Sequence, residues 1–215
     1  VYSFGRLAGI PKMSVEKYLE SCRKTFWQNI FRLELDYLVS SLRGRRDVLS
    51  VGCGPAIIEG ELSKHGFRVT GLDISQEALK CAPDSVRTFA GRAEDMPFPA
   101  SSFDAVIYVA SLQFIEDYRK ALEKSTAVLR PGGKIIVMLL NPRSEFVRER
   151  SGNPDSYMSM IRHRDLGQIE GAIAEHYTIR TEYMLGVKGE EIFASEDPSE
   201  AALYTIVGEK IAKRT

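Results

Sequence analysis

The sequence predicts an α/β fold: a doubly wound sheet, mostly parallel, with an antiparallel edge strand near the C-terminus and helices on both faces. Three observations predict it. Short apolar runs alternate with helical stretches from residue 47 to residue 140, the order of a parallel sheet whose crossovers are helices. Two of those runs, "FDAVIYVAS" at 103–111 and "IIVMLL" at 135–140, are apolar nearly throughout, as strands buried on both faces must be. After residue 175 the pattern changes: "HYTIRTEYML" (176–185) and "AALYTIVGEKI" (201–211) follow one another with no helix between, which suits an antiparallel hairpin on the sheet edge.

Each element has its own signal. Residues 14–42 carry apolar residues at helical spacing, Phe26, Ile30, Leu33, Tyr37 and Val39 among them, and Gly44 ends that helical stretch. "DVLSV" at 47–51 is the first strand. Pro55, whose ring presets a helical φ, opens a helix over about 55–65 that Gly66 closes. "FRVTGLDIS" at 67–75 is the second strand, ending in Asp73, and a short helix follows to residue 81. "VRTFAGRAEDMPFP" at 86–99 is a third strand with its loop, 103–111 the fourth strand, and about 116–129 a helix. Pro131 and Gly132 suit the two central positions of a turn leading into the fifth strand. The expected organisation is a single domain over 1–215: an N-terminal helical cap (1–44), a ligand-binding core (45–140), a segment able to cover a substrate (141–175) and the edge hairpin (176–215).

Composition excludes several classes of function. Lysine plus arginine equals aspartate plus glutamate, 29 each, which gives no global reason to expect nucleic acid or an anionic membrane as partner. The run 135–140 is far too short to cross a bilayer, and "VYSFGRLAGIPKM" lacks the basic region and apolar core of a secretory signal. Cys22, Cys53 and Cys81 are odd in number and irregularly spaced, so free thiols in a reducing cytoplasm are expected. His65, His163 and His176 are too scattered for a metal cluster, and no metal is expected. The sequence carries no signal for an oligomeric state.

The chemistry concentrates where the first strand ends. In an open α/β sheet, ligands sit at the carboxyl ends of strands near the switch point of strand order, and Gly52 and Gly54 fall there. Without Cβ atoms the backbone can turn tightly and approach a ligand. Asp73 ends the next strand, where a carboxylate can accept hydrogen bonds from both hydroxyls of a ribose. Together they suggest a nucleoside-containing ligand. A nicotinamide dinucleotide would use similar geometry, but the third glycine of its fingerprint falls at Ile57, which would obstruct helix–strand packing. A turn required by chain geometry alone is the bland reading.

Four segments in order, "VLSVGCGPA" (48–56), "VTGLDIS" (69–75), "AEDMPFPASSFDAVIYVASLQFI" (93–115) and "ALEKSTAVLRPGGKIIVM" (121–138), resemble the class I S-adenosylmethionine-dependent methyltransferases, in particular the quinone-biosynthesis C-methyltransferase branch. The resemblance covers roughly residues 45–140 and implies a Rossmann-like sheet and S-adenosyl-L-methionine as cofactor. It implies that Gly52, Cys53 and Gly54 line the methionine part, Asp73 binds the ribose, and Ile74 packs on the adenine. Ala93 would offer its N–H to the adenine with Glu94 beside it. Tyr108 and Val109 would face the methionine end, and Gln113 would lie near the acceptor. Three positions depart from the family pattern. Ser50 replaces an acidic residue; it can still hydrogen-bond but loses a charge near the cofactor's ammonium group. Ala56 replaces a glycine, a change expected to be nearly harmless sterically. Arg92 stands where an acidic residue often meets the adenine amino group.

The implied reaction is in-line methyl transfer to a small-molecule acceptor, with no catalytic residue identifiable from the sequence, since a base is needed only if the acceptor must lose a proton. The Asn-Pro-Pro-Tyr ending used on amide or base amino groups is absent at "YVASLQ", and no Pro-Cys pair offers a pyrimidine-attacking thiol. Two regions are expected to cover the acceptor. One is N-terminal, with Tyr2, Phe4, Tyr18, Phe26 and Trp27. The other is 141–165, whose Arg143, Arg148, Arg150, Arg162 and Arg164 interleave with acidic residues as on a solvated face. Ser50 and Arg92 also keep open a non-catalytic cofactor-binding or partner subunit with the same fold.

Overall fold

The computed structural model describes residues 15–211. Eight strands form one sheet in the order β3-β2-β1-β4-β5-β8-β6-β7. They are β1 (Asp47–Val51), β2 (Arg68–Asp73), β3 (Arg87–Ala90), β4 (Phe103–Val109), β5 (Leu129–Leu140), β6 (Tyr177–Lys188), β7 (Glu191–Phe193) and β8 (Ala201–Lys210). The first five pair in parallel, and β8 lies antiparallel to both β5 and β6. The expected hairpin strands are thus neighbours, but β7, too short to show alternation in the sequence, forms the outer edge on β6.

Seven helices flank the sheet among the described residues: α1 (Val15–Cys22), α2 (Thr25–Ser41), α3 (Ile57–Lys64), α4 (Gln76–Leu79), α5 (Tyr118–Val128), α6 (Glu145–Gly152) and α7 (Leu166–Ala174). The stretch expected as one helix at 14–42 is broken before Thr25, where Lys24 is extended (φ −70°, ψ 139°). Side-chain caps start α5, α6 and α7. Asp117, Ser144 and Asp165 accept from the N–H groups of Lys120, Val147 and Gln168, donors that have no partner within the helix. Gly66, at φ +89°, closes α3 in the left-handed conformation that glycine adopts without penalty.

Strand alternation sends side chains to two cores. Leu49, Val51, Val106, Tyr108, Ile135 and Val137 join α5 and α7 on one face. Val48, Ala105, Ile107, Ile136 and Met138 join Leu38 and Leu42 of the α2 end and Leu62 of α3 on the other. The strand order reverses between β1 and β4, so their carboxyl ends leave a crevice there. A third apolar cluster, with Ile30, Phe114, Phe146, Met158 and Leu203, joins α2 to the segment after β5 beside that crevice.

Candidate functional site

The turn after β1 is held by its neighbour strand. The Gly52 and Cys53 N–H groups donate to the Leu72 carbonyl at 2.7 and 3.3 Å. Gly52 and Gly54 have φ of +75° and +55°, and a Cβ on Gly54 would stand in open space, so the cleft is bare at that point. Asp73 is buried, and its two oxygens accept from the N–H groups of Gly54 and Ser75, each at 2.8 Å. Each oxygen keeps a lone pair, so the residue braces the turn and can still accept from a ribose. Cys53 fills the room left by Gly71, where an added Cβ would lie 2.6 Å from its sulfur. Burial pushes the Cys53 thiol up, which removes it as a nucleophile.

Two clefts meet at Gly52. The first encloses about 490 Å³ between Gly52, Asp73, Ile74, Ala93, Glu94 and Ile115. Ile74 is 38% exposed, an apolar surface that a flat ring could cover. Glu94 is buried and Arg92 turns back onto it at 2.8 Å, while also reaching Glu116 at 3.4 Å. Arg92 is thus engaged by two carboxylates at the rim.

The second cleft encloses about 630 Å³. Gly52, Cys53, Gly54, Pro55, Val109 and Ala110 form its floor. Tyr18, Trp27, Phe31 and Tyr157 wall it, and Glu34 and Glu59 reach it from α2 and α3. Ser50 donates to Glu59 at 2.6 Å, so a carboxylate reaches this site from the next helix, joined to the serine that replaces the family's acidic residue. Glu59 is 3% exposed and Glu34 5%. Burial drives Glu59 up to about 7, with the Ser50 bond opposing and the Asp73 charge adding. Burial, then the neighbouring Glu59 charge, drives Glu34 up to about 8. Sequence reasoning missed both. The readable signal was a carboxylate on an apolar stripe: the buried line of α2 runs Ile30, Glu34, Leu38, and that of α3 runs Ile58, Glu59, Leu62.

Several expected residues are placed otherwise. Tyr108 does not face the cleft. Strand alternation turns it to the opposite side of the sheet from Val109, where its hydroxyl lies 2.7 Å from Ser125 Oγ and donates to the Ala121 carbonyl. Gln113 is fully buried and lines neither cleft. Its oxygen accepts from the Leu140 N–H at 2.7 Å, and its amide donates to the carbonyls of Leu140 and His163, stapling residue 163 to the end of β5. Ala56 is not sterically indifferent: it sits at φ +56° as the N-cap of α3. Arg150 is not simply solvated, because its guanidinium lies over the rings of Phe146, Trp27 and Phe26 at 4.5, 5.2 and 5.6 Å. Tyr18 and Trp27 do line the second cleft. Tyr2 and Phe4 lie outside the described residues.

A bare glycine turn, a carboxylate on the next strand and paired clefts at the switch point lie where doubly wound sheets hold their ligands. Residues 49–137 match the methyltransferase domain family. The chain is 32% identical over 106 residues to a demethylmenaquinone methyltransferase of Tropheryma whipplei, covering 47% of this chain and 44% of that protein. It is 31% identical over 122 residues to a ubiquinone biosynthesis O-methyltransferase of Bordetella avium, covering 53% and 50%. The chain spans about half the length of the curated relatives it matches. A solved S-adenosylmethionine-dependent methyltransferase of Thermotoga maritima, described as a possible histamine N-methyltransferase, superposes with a TM-score of 0.75 at 21% identity. That match covers 92% of this chain and 98% of the other, and shows the fold. Over residues 49–137 the chain is therefore similar to S-adenosylmethionine-dependent methyltransferases, a domain and fold that bind that cofactor.

Proposed function

We propose that this chain is an S-adenosylmethionine-dependent methyltransferase acting on a small-molecule acceptor. The observation that carries the reading is the pair of clefts meeting at Gly52. One is suited in size and lining to an adenosine, and the other is walled by aromatic side chains of α1, α2 and the segment after β5. The residues present fit the cofactor. Asp73 has free acceptor capacity for ribose hydroxyls, Ile74 offers an apolar face to adenine, and Ala93 and Glu94 line the same cleft. The space beside Gly54, with Cys53 and Val109 lining the same cleft, suits the amino-acid part.

When bound, the cofactor supplies an electrophilic methyl group. The chain's own contribution is to orient the acceptor toward it and to exclude water. Residues 1–44 and 141–175 would act as covers within a single domain, and the aromatic wall of Tyr18, Trp27 and Tyr157 would hold the acceptor. Two of the curated relatives are, by name, a demethylmenaquinone methyltransferase and a ubiquinone biosynthesis O-methyltransferase, which supports a small-molecule acceptor. No described helix is long and apolar enough to cross a membrane, and the free thiols Cys22, Cys53 and Cys81 support a reducing compartment.

Calorimetry with S-adenosylhomocysteine and NAD tests the cofactor. The expected outcome is binding of the first with a raised Tm and no response to the second. Absence of S-adenosylhomocysteine binding at millimolar concentration by well-folded protein would overturn the reading. Methyl transfer from labelled cofactor to panels of phenols, quinols and amines then identifies the acceptor.

A further inference from the structure

The second cleft contains a feature that methyl transfer as such does not require. Two carboxylates from different helices, Glu34 and Glu59, are both more than nine-tenths buried and both line it. Glu59 accepts from Ser50 and from its own backbone N–H. Glu34 has no hydrogen-bond donor among the described residues, and neither makes an ion pair there. Burying an unpaired carboxylate beside another is costly unless something satisfies it. The aromatic rings of Trp27, Phe31 and Tyr157 surround the same space, and such faces favour a cation over an anion.

We propose that Glu34 and Glu59 form a subsite for one alkylammonium group, with Glu34 as its principal acceptor. Two ligands could carry that group: the cofactor, through its α-ammonium, or an acceptor bearing a protonated amine. The cofactor source rests on the reading above; the subsite itself does not. Burial favours the protonated carboxyls in the empty site and an arriving ammonium favours the ionised form, so loading releases a proton to solvent. The other titratable groups acting on the pair or facing the cleft with it are Asp73, Cys53, Tyr18, Tyr157 and the chain's N-terminal ammonium; the last is a cation that lowers Glu59 without returning it to its ordinary value.

The experiment is calorimetry on wild type, Glu34→Gln and Glu59→Gln at pH 7, in two buffers of different ionisation enthalpy. Three ligands are used: S-adenosylhomocysteine, its analogue lacking the α-amino group, and phenethylamine as an amine probe. If the cofactor is the source, Glu34→Gln weakens S-adenosylhomocysteine about tenfold or more, the scale of one buried charge-assisted hydrogen bond, and abolishes proton release. The deaminated analogue binds both proteins alike. If the acceptor is the source, S-adenosylhomocysteine is unaffected, and the phenethylamine affinity and its proton release are lost instead. Failure of S-adenosylhomocysteine to bind wild type would sink the cofactor reading and leave the amine arm to decide the subsite. Equal weakening of amine-bearing and deaminated ligands would overturn the proposal by showing a structural role, as would unchanged affinities in variants whose Tm shows them folded. Glu34→Asp, which keeps the charge, should recover part of the affinity if the proposal holds.

Discussion

Ala56 has a backbone conformation that its side chain opposes. At φ +56° its Cβ crowds the backbone, a cost of about 1–2 kcal/mol for a residue other than glycine. Ala56→Gly relieves that strain but adds freedom to the unfolded chain, so a net gain of about 0.5–1 kcal/mol is expected, read as a Tm rise of roughly 2–4 °C. An unchanged or lower Tm would show that the turn is not strained. Gly54 poses the converse case. Its φ of +55° and the open space at its Cβ mean that Gly54→Val both strains the turn and projects methyl groups into the cleft. Both stability and S-adenosylhomocysteine affinity should fall. Gly54→Ala should cost about 1 kcal/mol of stability through φ alone with a smaller loss of affinity, and equal losses of affinity in the two variants would refute the projection argument. Asp73 cannot be replaced for its ligand role alone, because its oxygens also hold the N–H groups of Gly54 and Ser75.

At the scale of elements, what was legible followed from period and punctuation. β4 and residues 135–140 of β5 were readable because strands buried on both faces must be apolar, and α3 because Gly66 closes it; β5 begins earlier, at Leu129, and takes in the expected turn at Pro131 and Gly132. The break between α1 and α2 was not, since Arg23 and Lys24 are ordinary helix formers and the chain departs there without glycine or proline. In the site, Gly52, Gly54 and Asp73 were visible because they neighbour one another along a local βαβ unit. The meeting of Glu34 with Glu59 was invisible because it depends on how α2 crosses the sheet. Gln113 and Tyr108 were misassigned because a strand end and its following loop give positions, while the direction of a side chain is set by the face it falls on. The join between the α2 cap and α6 can be tested. Arg150 spans Phe26 and Trp27 on one side and Phe146 on the other. Arg150→Ala should lower stability by about 1–2 kcal/mol and speed hydrogen exchange in α2 and α6, leaving β1 and β4 protected. Uniform acceleration across the sheet would mean that the cap does not open as a separate unit.

At the scale of the whole molecule, the sheet carries, among the described residues, an electrostatically unfavourable place at Glu34 and Glu59, and the pH dependence of stability should reveal it. Glu34 and Glu59 are raised from near 4.5 to about 8 and about 7, chiefly by burial. A carboxyl raised in the folded state binds more protons there than in the unfolded chain. Its contribution is therefore fully present below pH 4.5 and is lost as pH rises through 7 to 8. Asp104 runs the other way: backbone N–H groups and Arg130 hold it below its ordinary value despite the opposing effect of burial, so its contribution is lost in acid. Between pH 5.5 and pH 8.5 the carboxylate pair dominates, and the ligand-free protein should lose stability across that interval. Each unit of elevation corresponds to about 1.4 kcal/mol, so even one unit would lower Tm by roughly 3–6 °C. Glu34→Gln should flatten the profile and be the more stable protein at pH 8.5. An ammonium-bearing ligand neutralises the same charges, so, where the cofactor's α-ammonium is the occupant, the Tm increase produced by saturating S-adenosylhomocysteine should be larger at pH 8 than at pH 6 in wild type and nearly constant in Glu34→Gln. Thermal melts of both proteins across that interval decide the matter. Parallel profiles would mean that Glu34 does not titrate there, and that the cleft tolerates its charge by some means other than a bound proton.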